Sequence, residues 1–443
     1  MFPKHWKVRE AHLVCDEIVD CVNKTAPVVD YETEFKMIRT TNVKNGFIHH
    51  EDMRSVSEDT YLKWNRRLTP RKGDIVLTRE APLGDVGLIR TNHKFFLGQR
   101  TMIYRADGIN LNQRFLYYTL MSSYLQGQFR SLGSGSTVEH IRVPDAEKVL
   151  IPFPPLNEQV KIASILSAYD DLVEVNKKRI QLLENMAEEL YKEWFVRFRF
   201  PNWENAEFEK GVPKGWIFYT MSDLVDYYIG GGWGEDFPSM EYSEEAYVIR
   251  GTDIPNINNN IFKGVPFRYH KPSNIKSRQL QEYDLVFEVS GGSTNQLLGR
   301  NTMISKSLLD RFDNKVMCAS FCKLIRFNLE KVNPYFIKYY MKLYYDFDLV
   351  GVYQVQSTGI SNYQFESFLK HQTLRVPEHS IMDEFEGLVK PIVNEIENLG
   401  RQVEILEANK SQLLPRLMSG KLSVEDLDIE FPLSMQATDS NIQ

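Results

Sequence analysis

The chain offers few residue patterns suited to catalysis. Residues 333–336 read NPYF, a partial match to the Asn-Pro-Pro-aromatic motif of amino-methyltransferases, but the second proline is absent and no glycine-rich strand-to-helix turn precedes them. The glycine-rich residues 229–235, IGGGWGE, follow no clear strand and begin no clear helix, so we interpret them as a flexible turn rather than a cofactor loop. No G-x-x-x-x-G-K-[ST] phosphate loop and no H-E-x-x-H metal motif occur. The sequence therefore predicts a protein without catalytic residues, metal or cofactor of its own.

Basic residues are concentrated in three stretches of an acidic chain. Residues 61–105 contain ten Lys or Arg against three acids, residues 263–278 contain five and no acid, and residues 300–326 contain six against two. The net charge is −6, and acids collect at 184–193 and 425–430. Because a polyanion responds to the local potential, such basic faces are compatible with phosphate binding. The alternative is that each run is solvated surface.

The composition is that of a globular protein without membrane spans. Of 443 residues, 42% are hydrophobic and 12% aromatic, which is more apolar surface than a disordered chain keeps in water. No window of roughly 18 residues is apolar throughout, and residues 1–10 lack the apolar core of a signal peptide. The four cysteines make neither a disulfide framework nor, at spacings C-x5-C and C-x3-C, a zinc site. We therefore expect a cytoplasmic protein.

The chain contains an internal repeat of its whole architecture. An offset of 210 residues brings GDIVL at 73–77 onto YDLVF at 283–287. An offset of 223 residues superposes two long helical patterns, with Ile180 on Val403. A period this long excludes a solenoid. The sequence predicts a globular unit, a long helix, a second globular unit and a second long helix, produced by a tandem duplication that has diverged.

Both helical patterns are typical of coiled coils. Apolar residues recur about every 3.5 residues for about five heptads, which indicates a seam between helices. The predicted seam consists of Ile162, Leu166, Tyr169, Val173, Asn176, Ile180, Leu183, Leu190, Val389, Ile392, Ile396, Leu399, Val403, Leu406 and Leu413. We expect the two helices to pair antiparallel, with the polar Asn176 fixing their register. The alternative is two independent helices, each lying on its own domain. Pro391 and Gly400 predict a kink in the second helix.

The globular parts mix strands with helices. DIVLT, VGLIR, TMIYR, DLVFEV and CKLIRF are typical of short strands, whereas FLYYTLMSSYLQGQF and YFIKYYMKLYYDF are typical of helices with aromatic faces. The predicted fold class is α/β, of mixed α+β type, with two globular domains alternating with the two long helices.

Three segments resemble the specificity subunits of Type I restriction-modification systems. They are IPFPPLNEQVKIASIL at 151–166, GDIVLTREAPLGDVGLI at 73–89 and LLPRLMSGKLSV at 413–424. The order of domains and helices is also that of the family, so the resemblance covers nearly the entire chain. The second unit departs from it, with DLVFEVSGGSTNQLLGRN at 284–301 and RVPEHSIMDEF at 375–385. These departures limit residue-by-residue transfer to the second unit.

The resemblance implies a non-catalytic subunit that selects a bipartite target on double-stranded DNA. Target-recognition domains at 1–155 and 201–379 would each read one half, helical spacers would occupy 156–200 and 380–422, and an acidic tail would occupy 423–443. The helices would dock two adenine methyltransferase subunits and the restriction (translocase) subunits. Those partners would use S-adenosylmethionine, ATP and Mg²⁺, so no cofactor is expected for this chain.

The resemblance also implies that DNA contacts divide into phosphate contacts and base contacts. The phosphate candidates are Lys63, Arg66, Arg67, Arg71, Lys72, Lys263, Arg268, Lys271 and Lys276. Arg can bridge guanine, while Asn and Gln can bridge adenine, so base readers are expected in polar loops. The base-reading candidates are Thr78, Arg79, Ser136, Thr137, His140, Arg142, Ser293, Thr294, Asn295, Gln296, Arg300, Ser357, Thr358, Asn362 and Gln364. The alternative is that these are ordinary polar loops.

Two other functions stay open. The chain could be the recognition portion of a fused restriction-methylation enzyme, which the missing methyltransferase motifs oppose. It could also be a coiled-coil scaffold that does not touch nucleic acid. The target sequence cannot be read from these loops.

Overall fold

The structure is a computed structural model that describes residues 2–50, 52–133, 139–291, 296–357 and 360–436, except for the side chains of 357 and 433. These residues form two units of mixed α+β type. The first unit comprises Met1–Glu174 together with Ile405–Gln443, and the second comprises Val175–Glu404. The first unit is therefore built from two separate stretches of the chain.

The first unit consists of short strands with helices between and after them. Its strands are β1 (Lys7–Glu10), β2 (Cys15–Asp20), β3 (Phe35–Ile38), β4 (Val43–Lys44), β5 (Phe47–Ile48), β6 (Arg54–Ser55), β7 (Ile75–Arg79), β8 (Leu83–Leu88), β9 (Lys94–Leu97), β10 (Thr101–Ala106) and β11 (Leu150–Phe153). Its helices are α1 (Glu58–Trp64), α2 (Gln113–Met121), α3 (Ser123–Leu132), α4 (Val143–Ala146) and the beginning of α5 (Leu156–Tyr191).

A four-stranded antiparallel sheet with the order β2-β10-β7-β8 lies at the centre of the first unit. A three-stranded sheet, β6-β3-β9, contains one parallel pair, β3 with β9. The first predicted aromatic helical segment forms α2 and α3, which divide at Ser122 because its hydroxyl accepts a hydrogen bond from Leu125 N and caps α3. Phe115 and Phe129 of these helices are fully buried. The aromatic faces therefore form the core of the unit.

The second unit also combines strands with helices, and it has more short helices between its strands. Its strands are β12 (Phe208–Glu209), β13 (Val212–Pro213), β14 (Ile217–Thr220), β15 (Val225–Gly230), β16 (Glu244–Ile249), β17 (Phe267–His270), β18 (Leu285–Glu288), β19 (Ser290–Gly291), β20 (Asn301–Met303), β21 (Lys315–Cys318), β22 (Cys322–Phe327), β23 (Gln354–Ser357), β24 (Ile360–Tyr363) and β25 (Thr373–Val376). Its helices are α6 (Met221–Leu224), α7 (Ile254–Asn258), α8 (Pro272–Arg278), α9 (Lys306–Leu309), α10 (Pro334–Asp346), α11 (Phe365–His371) and α12 (His379–Met418), and the short α13 (Leu433–Gln436) belongs to the first unit.

The sheets of the two units share one strand order. The sheet β15-β22-β18-β20 repeats β2-β10-β7-β8, and β17-β16-β21 repeats β6-β3-β9, including the parallel pair. The two-stranded pair β14 with β25 repeats β1 with β11. The internal repeat predicted from the sequence is confirmed by this topology, as is the mixed α+β class.

The C-terminal residues complete the core of the first unit. Leu417 and Val424 are fully buried in one hydrophobic cluster with Trp6. At Gly420, φ is +69° and a Cβ would lie 2.4 Å from Pro3 Cγ, so glycine is required for this close approach. Residues at the start of the predicted acidic tail are thus part of a folded unit.

The two long helices are continuous. A π-helical turn, Lys192–Val196, extends α5, and α12 is a single helix through Pro391 and Gly400. A Cβ at Gly400 would lie 2.4 Å from Asn260 Cβ, so this glycine serves close packing within the second unit.

Every predicted seam position is at least half-buried. The buried members are Ile162, Leu166, Val173, Asn176, Val389, Ile396, Leu399 and Val403. The half-buried members are Tyr169, Ile180, Leu183, Leu190, Ile392, Leu406 and Leu413.

Candidate nucleic-acid interface

Two predicted reading segments of the first unit lie side by side. Glu80, which follows β7, forms a β-bridge with His140. Ile141 N donates a hydrogen bond to Arg79 O at 3.1 Å, and Arg79 Nε donates to Ile141 O at 2.9 Å. The fold therefore joins the end of β7 to the residues before α4, although the two partners of this last bond are 62 positions apart in sequence.

Thr78 and Arg79, two of the predicted base readers, are held by hydrogen bonds within the unit. Thr78 is fully buried, and its hydroxyl accepts a hydrogen bond from Asp85 N at 2.9 Å. The Arg79 side chain is 19% exposed, and besides the bond to Ile141 O its guanidinium pairs with Asp20 at 3.3 Å. Removing these side chains from such partners would leave buried polar groups unpaired. Both side chains therefore help to hold the loop in position.

His140 and Arg142 stay at the surface beside this junction. Arg142 is 69% exposed, and its guanidinium makes an ion pair with Asp145 at 3.0 Å. Because an exposed ion pair contributes little free energy, Arg142 is free to exchange this partner for a ligand. These two residues are the first unit's base-reading candidates that the structure supports.

The equivalent segments of the second unit also meet. β19, which follows β18, pairs with β24, and Ser290 Oγ donates to Asn362 Oδ1 at 3.0 Å. The predicted reading segments at 290–300 and 356–364 therefore share the small sheet β19-β24-β23. Gln296, Asn362 and Gln364 are exposed, so they remain candidate base readers.

Arg300, another predicted base reader, is paired with a buried carboxylate. Its guanidinium Nε donates to Glu288 Oε2 at 2.7 Å, and the Glu288 side chain is 3% exposed. This hydrogen bond raises the pKa of the Arg300 guanidinium. The other predicted readers lie outside the described residues, namely Ser136, Thr137, Ser293, Thr294, Asn295, Thr358 and the side chain of Ser357.

The phosphate candidates of the first unit differ in availability. Arg66, Arg71 and Lys72 are exposed and take part in no ion pair within the described part of the chain. Lys63 lies 2.5 Å from Asp59 in an exposed ion pair, and Arg67 pairs with Asp20. The first three are the cations that a phosphate would meet without displacing a partner.

In the second unit, two phosphate candidates hold a loop in place instead. Arg268 pairs with Asp236 and lies 4.5 Å from the centre of the Trp233 ring, and Lys271 pairs with Glu241. The hydrogen bond to Glu241 raises the pKa of Lys271. Lys263 and Lys276 are exposed and unpaired among the residues that the structure describes. The predicted set of four therefore divides into two anchors and two available cations.

The interpretation of 229–235 as a flexible turn is wrong. Gly231 N donates to Cys322 O and Gly232 N donates to Cys318 O, both at 2.9 Å. A Cβ at Gly231 would lie 2.2 Å from Cys318 O, so only glycine permits this contact with the end of β21. The glycine run is a packed segment that places the following residue, Trp233, in a fixed position.

Trp233 stands at a cleft that the sequence did not reveal. The cleft has a volume of about 710 Å³ and lies wholly within the second unit. Its lining includes Trp233, Arg250, Phe321 and the Glu288–Arg300 pair. The feature in the sequence that marks this position is a tryptophan directly after three glycines. Arg250, Thr252 and Phe321 are further residues missed by sequence reasoning.

The described residues contain no group of three His, Cys, Asp or Glu side chains arranged to hold a metal ion. Burial raises the pKa of the Cys15 thiol and of the Cys318 thiol to about 12, so both are neutral at physiological pH. In the described ranges, no helix is both long and apolar enough to cross a membrane.

The known proteins described below as similar to this chain are all specificity subunits or domains of Type I restriction systems. Residues 3–185 match the family model of the Type I restriction modification DNA specificity domain. The Type I restriction enzyme MjaIX specificity subunit of Methanocaldococcus jannaschii is 28% identical over 401 residues, which cover 84% of this chain and 83% of that relative. The MjaVIII specificity subunit of the same organism is 23% identical, with 82% of each chain covered.

One solved structure has the same overall fold. The crystal structure of a Type-I restriction-modification system S subunit from M. genitalium matches with a TM-score of 0.57, covering 93% of this chain and 96% of that chain. The sequence identity is 14%, so this likeness concerns the fold alone.

Proposed function

We propose that this protein selects the DNA target of a Type I restriction-modification complex. Residues 3–185 match the family model of the Type I restriction modification DNA specificity domain, and the resemblance of the chain to specificity subunits is confirmed. Each unit reads one half of a bipartite target. Base contacts come from the polar segments that adjoin β7 in the first unit and β18 in the second.

One observation carries this proposal. Both units have the same strand order, and in both the segment after the matching central strand is joined to a second polar segment distant in sequence. Two units with one scaffold and different surface residues suit a target with two different halves. The exposed candidates Arg142, Asn362 and Gln364 lie on these joined segments, as does the half-buried His140.

We further propose that α5 and α12 pair as an antiparallel coiled coil. Within the second unit, Asn176 Nδ2 donates to Gln402 Oε1 at 3.3 Å, and Arg179 pairs with Glu395 at 2.8 Å. Residue numbers rise along one helix while they fall along the other, as antiparallel pairing requires. The contact of Asn176 with a polar partner supports its predicted role in fixing register.

The methyltransferase subunits dock on the outer face of α5. Val175, Leu182 and Met186 are 51%, 63% and 59% exposed, and their spacing of seven and four residues places them along one side of the helix. A helix that buries one apolar stripe and exposes a second is suited to a partner helix. Two methyltransferase subunits, and the restriction subunits that join them, are the partners of this proposal.

The chain itself is a binding subunit and not an enzyme. S-adenosylmethionine, ATP and Mg²⁺ act in the partner subunits, and the complex works in the cytoplasm. A salt-dependent gel shift of duplex DNA, with and without the methyltransferase subunit, tests binding. Adenine methylation mapped across a genome in cells that carry this chain then identifies the target.

A bipartite methylated sequence that disappears when the chain is deleted is the expected result. The matched controls are the purified chain alone, which should not transfer methyl groups, and the methyltransferase subunit alone, which should show no preference for the target. Methylation or cleavage by the rigorously purified chain alone would contradict the proposal. The absence of a gel shift of duplex DNA in the presence of both this chain and the methyltransferase subunit would also contradict it.

A further inference from the structure

We propose that the cleft of the second unit binds a single nucleobase, held against Trp233 and Phe321. This inference rests on the proposed function in one respect only: DNA bound by the chain would supply the base. The shared chemistry is that of a planar aromatic heterocycle, whether it comes from an unpaired base of DNA or from a free nucleotide.

The aromatic wall of the cleft is rigid. Gly231 and Gly232 bond to the backbone of the neighbouring strands, which fixes the chain immediately before Trp233. Arg268 lies over one face of the Trp233 ring, 4.5 Å from its centre, and donates to Trp233 O at 3.3 Å, so both the indole and its backbone are held. Trp233 is 39% exposed and lines the cleft.

A second aromatic side chain lines the same cleft without being needed for the core. Phe321 is 57% exposed, in the turn between β21 and β22. Because Phe321 lines the cleft and is accessible, its ring is available to a planar ligand. Bases stack on aromatic side chains irrespective of their identity, because every base has a π-face.

The polar groups of the cleft suit the edge of a base. The buried Glu288 and Arg300 side chains hold each other, and a Cβ at Gly251 would lie 2.3 Å from Glu288 Oε1, so the backbone approaches this pair directly. Arg250 is 41% exposed, and its guanidinium is oriented by Asp253, with Nη2 on Oδ1 at 2.7 Å. Fixed donors and acceptors around an apolar space are typical of small-molecule sites of this size.

The charges of the cleft also favour a base over a phosphate. Glu288 neutralises Arg300, and Asp253 neutralises Arg250, so each cation that lines the cleft already has a carboxylate partner. A neutral heterocycle can hydrogen-bond to such pairs without displacing either member. A phosphate would have to compete with two carboxylates.

The test compares full-length wild type with Trp233→Ala, using Trp203→Ala as the matched control. Trp203 is 38% exposed in the same unit and does not line the cleft. The first arm titrates each protein into free 2-aminopurine deoxyriboside monophosphate, whose fluorescence is quenched when the base stacks on indole. The second arm compares affinities for a paired duplex and for the same duplex with one unpaired adenine, which is easier to extrude.

We expect saturable quenching by the wild type and the Trp203 variant, and at least about tenfold weaker quenching by the Trp233 variant. In the second arm, wild type should prefer the duplex with the unpaired base by about tenfold, and the Trp233→Ala and Phe321→Ala variants should lose this preference while binding the paired duplex normally. Equal thermal unfolding of the variants shows that the fold is intact.

Quenching without a duplex preference assigns the cleft to a free nucleotide, and both effects together assign it to DNA. Absence of quenching and of preference in the wild type overturns the proposal. If the wild type binds no duplex even with the methyltransferase subunit, the proposed function fails, while the first arm still decides whether the cleft binds a base.

Discussion

Arg105 and Asp74 form a two-pronged ion pair in the central sheet of the first unit, with Nε on Oδ1 at 2.7 Å and Nη2 on Oδ2 at 2.8 Å. Arg326 and Asp284 form the same pair in the second unit, with the same two distances. Each aspartate also accepts a hydrogen bond from the backbone N–H three residues earlier, at 2.9 and 2.7 Å. The Asp that both GDIVL and YDLVF contain therefore has one structural role in each unit.

The first prediction concerns the stability of this pair. The Asp74 side chain is 1% exposed, and Asp74→Asn leaves the Arg105 guanidinium, 13% exposed, without its carboxylate. Breaking a buried pair from one side costs about 3 to 5 kcal/mol, so we expect the first unit to unfold at markedly lower urea concentration. The control is Asp59→Asn, which breaks an exposed pair with Lys63 and should cost less than about 1 kcal/mol. Equal decreases in the free energy of unfolding of the two variants would show that the buried pair stabilises the unit no more than the exposed pair does.

The second prediction separates the available cations from the anchors. Lys276 is exposed and unpaired among the described residues, whereas Lys271 pairs with Glu241. A plot of log affinity against log salt has a negative slope, and removing one phosphate contact decreases the magnitude of that slope by about 0.9. Lys276→Ala should show this decrease in a salt titration of duplex binding, and Lys271→Ala should leave the slope unchanged. The reverse pattern would restore Lys271 as a phosphate contact.

The third prediction concerns the thiols. Burial raises the pKa of Cys15 and of Cys318 from 9.0 to about 12, so roughly one thiol in ten thousand is ionised at pH 8. Iodoacetamide at pH 8 should leave both unmodified in the native protein and modify both in urea, as read by peptide mass spectrometry.

The same shift predicts a pH dependence of stability. Since the folded thiols hold their protons more tightly than unfolded thiols do, their contribution is complete below pH 9 and is lost as pH rises towards 12. The free energy of unfolding should therefore decrease over this range, and a Cys318→Ala variant should show a shallower decrease. Rapid alkylation of Cys318 in the native protein at pH 8 would be inconsistent with the assigned burial.

The fourth prediction concerns the docking face of α5. Leu182→Glu and Met186→Glu place charges on side chains that are 63% and 59% exposed, so the stability of the chain should change by less than about 1 kcal/mol. Affinity for the methyltransferase subunit should fall by at least about tenfold in calorimetric titration, because a charge would be buried at an apolar contact. Gln181→Glu, also exposed on α5, is the matched control and should bind normally. Unchanged affinity in all three variants would place the docking site elsewhere.

Local patterns made much of this fold predictable. The strand DIVLT became β7, and the heptad positions of both long helices became buried or half-buried because their spacing alone determines which side they occupy. The repeat was visible because the Asp of GDIVL and of YDLVF has the same strand-joining role. The strand and heptad patterns depend on residues close together in sequence, whereas Arg105 and Arg326, the partners of the two aspartates, lie 31 and 42 positions away from them.

The roles of the candidate site residues depended on distant partners. Arg79 and Arg300 had the residue type and the loop position of base readers, but their partners Ile141 and Glu288 are fixed only by the tertiary fold. The glycine run before Trp233 was misinterpreted for the same reason, since the backbone that it approaches belongs to β21. Composition cannot distinguish a glycine that allows flexibility from one that allows close packing.

The burial of Leu417 and Val424 with Ile162 in one core determines when the first unit can finish folding during synthesis. The ribosome must first add Val175–Glu404, roughly 230 residues, which takes about 10 to 45 s at typical elongation rates. During that interval the core of the first unit lacks Leu417, Met418 and Val424, while its other buried members are already present. The second unit, encoded without interruption, is complete before the first, so a premature stop near residue 404 would release a finished second unit attached to an unfinished first one.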